Sequence, residues 1–262
     1  LLLAVLALMQ QLGDRWWLWT WIVWSGFNLL MLGLYPTVIA PLFNRFTPLA
    51  DGALKTQIEA LLSRCGFAAS GLFVMDGSRR SAHGNAYFTG FGRAKRIVFF
   101  DTLIDKLSPD ETCAVLAHEL GHFVHRDVHK RIALTFAASF ALLALLGWLA
   151  TQTWFYLGLG VAPLLGGSNA PLALALFFVA LPVFAYFTQP LIAAASRRQE
   201  FAADAFAIAQ TDAQALSSAL VKLYQDNAST LTPDPLYSAF YASHPGPSAR
   251  IAQIRRLEQA PR

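Results

Sequence analysis

His118, Glu119, Leu120, Gly121 and His122 stand in the order HExxH, within a stretch from Ser108 to Arg131 that reads SPDETCAVLAHELGHFVHRDVHKR. The stretch predicts a helix. Ser108 is a good N-cap, Pro109 suits the first helical position, and Glu111 falls three residues after the cap, the spacing of a capping box. At about 3.6 residues per turn, histidines four apart point roughly 40° apart, one turn above the other, so two imidazole nitrogens can reach one metal ion. Glu119 falls on the flank of that face. There its carboxylate sits beside a water on the metal rather than on the metal itself, where a general base belongs. Neutral imidazoles suit Zn²⁺, and a catalytic zinc takes three protein ligands and keeps a fourth position open. The third ligand has to come from elsewhere.

Ser196 to Asp204 reads SRRQEFAAD and offers one. Glu200 and Asp204 are four apart, on one helix face, and emerge from the neighbouring apolar stretch on the same side as the HExxH helix. Glu200 is the expected third ligand of a single Zn²⁺. Asp204 then either orients a zinc-bound histidine or acts as an acid toward the leaving group. The competing reading is a solvated helix face paired with Arg197 and Arg198. Further on, His244-Pro245-Gly246-Pro247 holds a histidine on a stiff loop, suited to stabilising the oxyanion of a tetrahedral intermediate, although a lone loop histidine is more often incidental. His125 and His129 follow the motif at helical spacing and are read as solvent or interface residues. Repeats, a phosphate-cradling glycine loop and a nucleophile elbow are all lacking.

The elements that must position these residues lie partly in a membrane. Of 262 residues, 55% are hydrophobic and 14% charged, with mean hydropathy +0.44. From Ile132 to Ser196 there is no charged residue or histidine, enough for two spanning helices at about 20 residues each. A buried soluble helix hairpin is the alternative. Net charge +4 and pI ≈ 9.2 come from basic residues dispersed among acids, so no nucleic-acid surface is implied. Cys65 and Cys113 have no metal or disulfide spacing and fit a reducing compartment.

The chain starts at Leu1 with no basic residue before its apolar run, which does not read as a signal peptide; the start is expected to lie inside a longer protein's membrane helix. Leu1 to Leu12 is read as part of a span, Gly13-Asp14-Arg15 as a tight turn, and Trp16 to Leu34 as a second span. Five of the seven tryptophans crowd its first half, and tryptophan prefers the membrane interface.

Beyond Pro41 the composition turns mixed. Asp51 to Cys65 predicts an amphipathic helix stopped at Gly66. Leu72 to Met75 and Arg96 to Asp101 predict strands, with Asn85 to Phe91 a third, punctuated by glycines at 84, 90 and 92. An exposed edge of such a sheet can take an extended peptide as an added strand; a purely structural hairpin is equally compatible. The HExxH helix is expected to run on through Lys130 and Arg131 into the membrane. Asp212 to Gln225 predicts a helix, Asn227 to Tyr241 turns, and Ser248 to Gln259 a last helix capped by Ser248.

The expected organisation is therefore membrane spans over 1–34, the first part of a catalytic domain over 35–131, a helical hairpin over 132–195 and the second part of the domain over 196–262. The fold class is mainly α, a multi-span helical membrane protein with a zincin-like catalytic domain containing a small β-sheet. Residues 35–131 carry twelve Lys and Arg and residues 197–262 seven, whereas the loop at 158–171 carries none, so the positive-inside rule puts both charged segments on the cytoplasmic side.

The chain resembles the CAAX prenyl protease type I family, integral-membrane zinc endopeptidases of the gluzincin type. The likeness runs from Pro41 through PLFNRFTPLADGAL, SRRSAHGNAYFTGFGRAKRIVFFDTLI, AVLAHELGH, RRQEFAADAFA and SHPGPSARI. It implies Glu200 as third ligand, Asp204 as a proton donor, Asn85 beside the bound peptide, and His244 and Arg250 in the neighbourhood of the active site. It also implies a ring of membrane helices around a large chamber, whereas this chain has room for at most four spans.

These readings converge on a zinc endopeptidase in a bacterial cytoplasmic membrane. Its expected partners are a peptide or membrane-protein substrate and the lipid bilayer, with no nucleic acid. Its substrates are expected to be CAAX-type peptides or membrane proteins. The alternatives are a catalytically inactive metal-binding scaffold or holdase, which intact Glu119 argues against, and a site-2-type intramembrane protease, which needs an aspartate in a later span where 132–196 has none.

Overall fold

A computed structural model describes residues 1–81, 83–89, 95–165, 168–226 and 233–259. In chain order the elements are α1 (Leu2–Gln11), α2 (Trp16–Leu34), α3 (Ala40–Phe43), β1 (Phe46–Pro48), α4 (Ala53–Arg64), β2 (Gly71–Met75), β3 (Ala86–Thr89) and β4 (Arg96–Phe100). They continue with α5 (Asp101–Lys106), α6 (Pro109–Val124), α7 (Asp127–Leu149), α8 (Thr153–Gly158), α9 (Ala170–Gln210), α10 (Ala213–Asp226), α11 (Pro235–Tyr241) and α12 (Pro247–Gln259). The chain divides into two compact units, one of Leu1–Leu32 with His129–Gln189, the other of Gly33–Val128 with Pro190–Arg262.

The first unit is helical. Among the described residues three helical stretches, Gly13–Phe43, Asp127–Leu149 and Ala170–Gln210, each only partly within this unit, are long and apolar enough to cross a membrane, and Leu2–Gln11 is a shorter apolar helix. On α2 the tryptophans at 17, 21 and 24 recur at helical spacing and meet α7 edge-on, with Trp17 and Trp21 at 5.4 and 5.3 Å from Phe140 and Trp24 at 5.8 Å from Phe136. The Trp21 indole also donates to the Phe136 carbonyl at 3.0 Å. Gly147 leaves the room these rings need, since a Cβ there would stand 2.6 Å from the Trp17 ring. Phe178, Val179, Val183, Phe184 and Phe187 on α9 are exposed, as suits a helix whose solvent is lipid.

The second unit is built on a four-stranded sheet of order β1-β2-β4-β3. β2 and β4 are parallel, while β1 pairs antiparallel with β2 and β3 with β4, Ala86 opposite Phe99 and Phe88 opposite Ile97. β4 is central, and its Ile97, Val98 and Phe99 are buried. Packed around it are Ile58 and Leu61 of α4, Leu116 and Leu120 of α6, Leu216 of α10 and Ile254 of α12. The predicted cap is formed: Ser108 Oγ accepts from Glu111 N at 3.3 Å and Glu111 Oε2 accepts from Ser108 N at 2.8 Å. Glu111 also accepts from Ser218 Oγ and from Lys222 Nζ at 2.7 Å, which ties the start of α6 to α10.

Several expectations need correction. The HExxH helix does not continue into the membrane: α6 ends at Val124, and Arg126 adopts the left-handed region at φ 56° before α7 starts at Asp127. A short edge strand, Phe46–Pro48, adds a fourth strand; three residues ending in proline carry too little periodicity to read. Residues Pro235–Tyr241 form a helix capped by Asp234 where turns were expected. Finally, α12 opens at Pro247, with the Ala249 and Arg250 amides donating to the Gly246 carbonyl, so Ser248 lies in the first turn instead of capping it. The glycines at 90 and 92, Phe91 and residues 227–232 lie outside the described residues.

Candidate active site

His118, His122, Glu200 and the side chains around them all belong to the second unit. On α6, His118 and His122 face the same way, their rings edge-on with centroids 4.9 Å apart. The last quarter of a long helix brings the third group: on α9, Glu200 lies with Oε2 3.5 Å from His118 Nε2 and Oε1 3.5 Å from His122 Nε2. Ligand atoms of the three residues all fall within 4.8 Å of one another. The approach depends on Gly121. A Cβ there would stand 2.9 Å from Ala203 Cα and 3.1 Å from its carbonyl oxygen, so the glycine inside HELGH lets the two helices close on each other.

Behind the imidazoles stand carboxylates. His118 Nδ1 lies 2.9 Å from Asp204 Oδ1, and Arg250 donates through Nε to Asp204 Oδ2 at 2.8 Å and through Nη2 to Oδ1. Asp204 is completely buried and Arg250 nearly so. Both Asp204 oxygens are thus engaged, with His118 and with the Arg250 guanidinium, and Arg250 also lines the cavity on which the site opens. His122 Nδ1 lies 3.0 Å from Oδ2 of buried Asp127.

Burial opposes charge on His118, but hydrogen bonds with Asp204 and Glu200 outweigh it and raise its pKa. The same contest, with Glu200 and Asp127 as partners, raises His122 to about 9. Glu119 lies beside them, half-buried, and burial pushes its carboxyl above the usual range. His244 is exposed, with Nδ1 3.0 Å from Glu200 Oε1, and its loop is held where Tyr224 donates to the Pro245 carbonyl at 3.0 Å.

These residues open on a cavity of about 1140 Å³. Glu119, His118, Glu200 and His244 line it, as do Asn85 from the residue before β3 and Leu220 from α10. Asn85 is fixed by its carbonyl, which accepts from the Phe100 amide at 2.9 Å. Asp204 does not line the cavity. His129 is exposed and His125 half-buried.

The donor set fits a divalent metal on its own chemistry. Both Nδ1 atoms face carboxylates, which leaves the two Nε2 atoms toward Glu200, the disposition of a two-imidazole, one-carboxylate ligand set. Two contributors escaped the sequence reading. Gly121 was legible only as a motif letter, since its neighbour Ala203 is distant in sequence. Asp127 offered a signal, an acid five residues after His122, but an unbroken helix would have turned it away.

Comparison with known proteins places the chain in a family. The model of peptidase family M48 matches residues 48–258, and that of the CAAX prenyl protease N-terminal region, five membrane helices, matches residues 1–45. The CAAX prenyl protease 1 homolog of Arabidopsis thaliana is 38% identical over 264 residues, covering 96% of this chain and 58% of the relative. CAAX prenyl protease 1 of Saccharomyces cerevisiae is 38% identical over 239 residues, covering 87% and 53%. The crystal structure of S. mikatae Ste24p superposes with TM-score 0.86 at 33% identity, over 97% of this chain and 62% of that one. The chain therefore spans a little over half the length of these relatives. Its membrane helices and N-terminal match make it an integral membrane protein, and the M48 match implies a metal, for which His118, His122 and Glu200 are the group at hand. The chain belongs to peptidase family M48.

Proposed function

We propose that this chain carries the active site of a zinc-dependent membrane endopeptidase that cleaves CAAX-type or membrane-protein substrates. The observation that carries the reading is the meeting of His118, His122 and Glu200 within 4.8 Å, beside Glu119 and on a cavity. Two imidazoles and one carboxylate are the donors of a catalytic zinc, one ion per chain. When bound, zinc supplies a Lewis acid for the scissile carbonyl and lowers the pKa of water.

The remaining work falls to the protein's own groups. Glu119, its affinity for protons raised by burial, takes the proton from the attacking water and passes it to the leaving nitrogen. His244, at the cavity wall, donates a hydrogen bond to the carbonyl oxygen as charge develops there. Asp204 and Arg250 hold His118 in place from behind. β3 is an edge strand, and Asn85 precedes it at the cavity, so an extended peptide can align along β3 and present its scissile bond to Glu119.

The CAAX-type substrate class follows the names of the relatives. The cytoplasmic placement of the catalytic unit follows the distribution of Lys and Arg. Those relatives are eukaryotic and lend no support to a bacterial origin. Glu119→Gln in the full chain is expected to keep zinc and fold while losing peptide cleavage by several orders of magnitude; full cleavage in that variant contradicts the mechanism.

A further inference from the structure

We infer that Asp127 is a positioning residue for the metal, fixing the His122 imidazole, and that the strained turn before it exists to bring it there. The inference rests on the zinc reading above and adds a residue to it. In an unbroken helix, five residues turn through roughly 500°, which would leave Asp127 about 140° away from the face of His122. The contact therefore requires a break. The helix is broken just past the motif: α6 ends at Val124, Arg126 takes φ 56°, and α7 starts at Asp127. Among the described residues Arg126 is the non-glycine residue with positive φ, a conformation that costs an L side chain steric energy and persists where the surroundings enforce it.

The result of the break is specific. Asp127 is 3% exposed, and its Oδ2 lies 3.0 Å from His122 Nδ1. An ionised carboxylate only accepts, so a proton sits on Nδ1, and the neutral imidazole that ligates a metal would turn its Nε2 lone pair toward Glu200, whose Oε1 is 3.5 Å away. Hydrogen bonding to a carboxylate also makes the imidazole a stronger ligand. His118 has its own carboxylate in Asp204, so the two imidazoles are held by separate acids from separate elements, α9 for one and the start of α7 for the other.

A plainer role competes with this one: an aspartate in the first turn of α7 favours the helix dipole without regard to metal. Metal affinity separates the two. Zinc affinity of the full chain in detergent is measured by chelator competition for wild type, Asp127→Asn and Asp127→Ala, alongside cobalt-substituted visible spectra and melting of the metal-free forms. Asp127→Ala is expected to lose zinc affinity roughly 10–100-fold and to alter the cobalt spectrum, with metal-free melting close to wild type. Asp127→Asn, which keeps an acceptor but not the charge, is expected to lose less.

Asp127→Ala within about twofold of wild type, with the same cobalt spectrum, overturns the inference while leaving the zinc reading intact. Metal-free forms of both variants that fail to fold also overturn it, in favour of the helix-start role. A wild-type chain that binds no zinc overturns the zinc reading and this inference together.

Discussion

Gly121 and Ala203 are in backbone contact: a Cβ on Gly121 would stand 2.9 Å from Ala203 Cα. No flexible side chain lies between them to yield, so the methyl of Gly121→Ala has to part the two helices. Since Glu200 is one turn before Ala203 on α9, that displacement acts on the carboxylate facing both imidazoles. Gly121→Ala is expected to cost roughly 1–3 kcal/mol of stability and to weaken metal binding, read by denaturant unfolding and chelator competition. Unchanged metal affinity in this variant means that the close approach is incidental.

Asp204 separates positioning from proton delivery. It is fully buried and bonded to His118 and Arg250, so Asp204→Asn is expected to weaken zinc binding and to leave the Arg250 guanidinium without its charged partner. Breaking a buried pair in this way costs on the order of 3–5 kcal/mol. A proton donor would behave otherwise, losing turnover at full zinc occupancy and unchanged stability. Metal content, melting temperature and kcat measured on the same preparation distinguish these outcomes.

Glu111 predicts an acid dependence of stability. Burial alone would raise its pKa, but hydrogen bonds from Lys222, Ser218 and the Ser108 amide outweigh that and hold it below the ordinary value. A carboxylate with a depressed folded pKa adds stability that is complete above its unfolded pKa, near 4.3, and is lost as pH falls through the lower folded value. Glu111→Gln is therefore expected to be less stable than wild type at pH 7, by roughly 1–3 kcal/mol, with the gap closing on acidification. A gap that persists to low pH attributes the effect to packing.

The chemistry was more legible in the sequence than the geometry that supports it. HExxH states its own spacing, and Glu200 and Asp204 could be paired with it because both lie on a helix face at four-residue intervals next to an apolar stretch. Ser108 and Glu111 announced the start of α6 for the same local reason. What local pattern does not carry is the left-handed turn at Arg126, because arginine has no preference for that conformation and the contact of Asp127 with His122 that follows it is tertiary. The same holds for Arg250, whose commitment to Asp204 joins α12 to α9, and for β1, whose three residues acquire strand structure only by pairing with β2.

The most direct test of the account is the zinc content of the purified full chain, wild type against Glu200→Ala, by elemental analysis after removal of loosely held metal. The account predicts one zinc per wild-type chain and its loss in the variant, because Glu200 comes from a different helix and still lies 3.5 Å from each imidazole Nε2. Wild-type chain without stoichiometric zinc, or Glu200→Ala that retains it in full, contradicts the account.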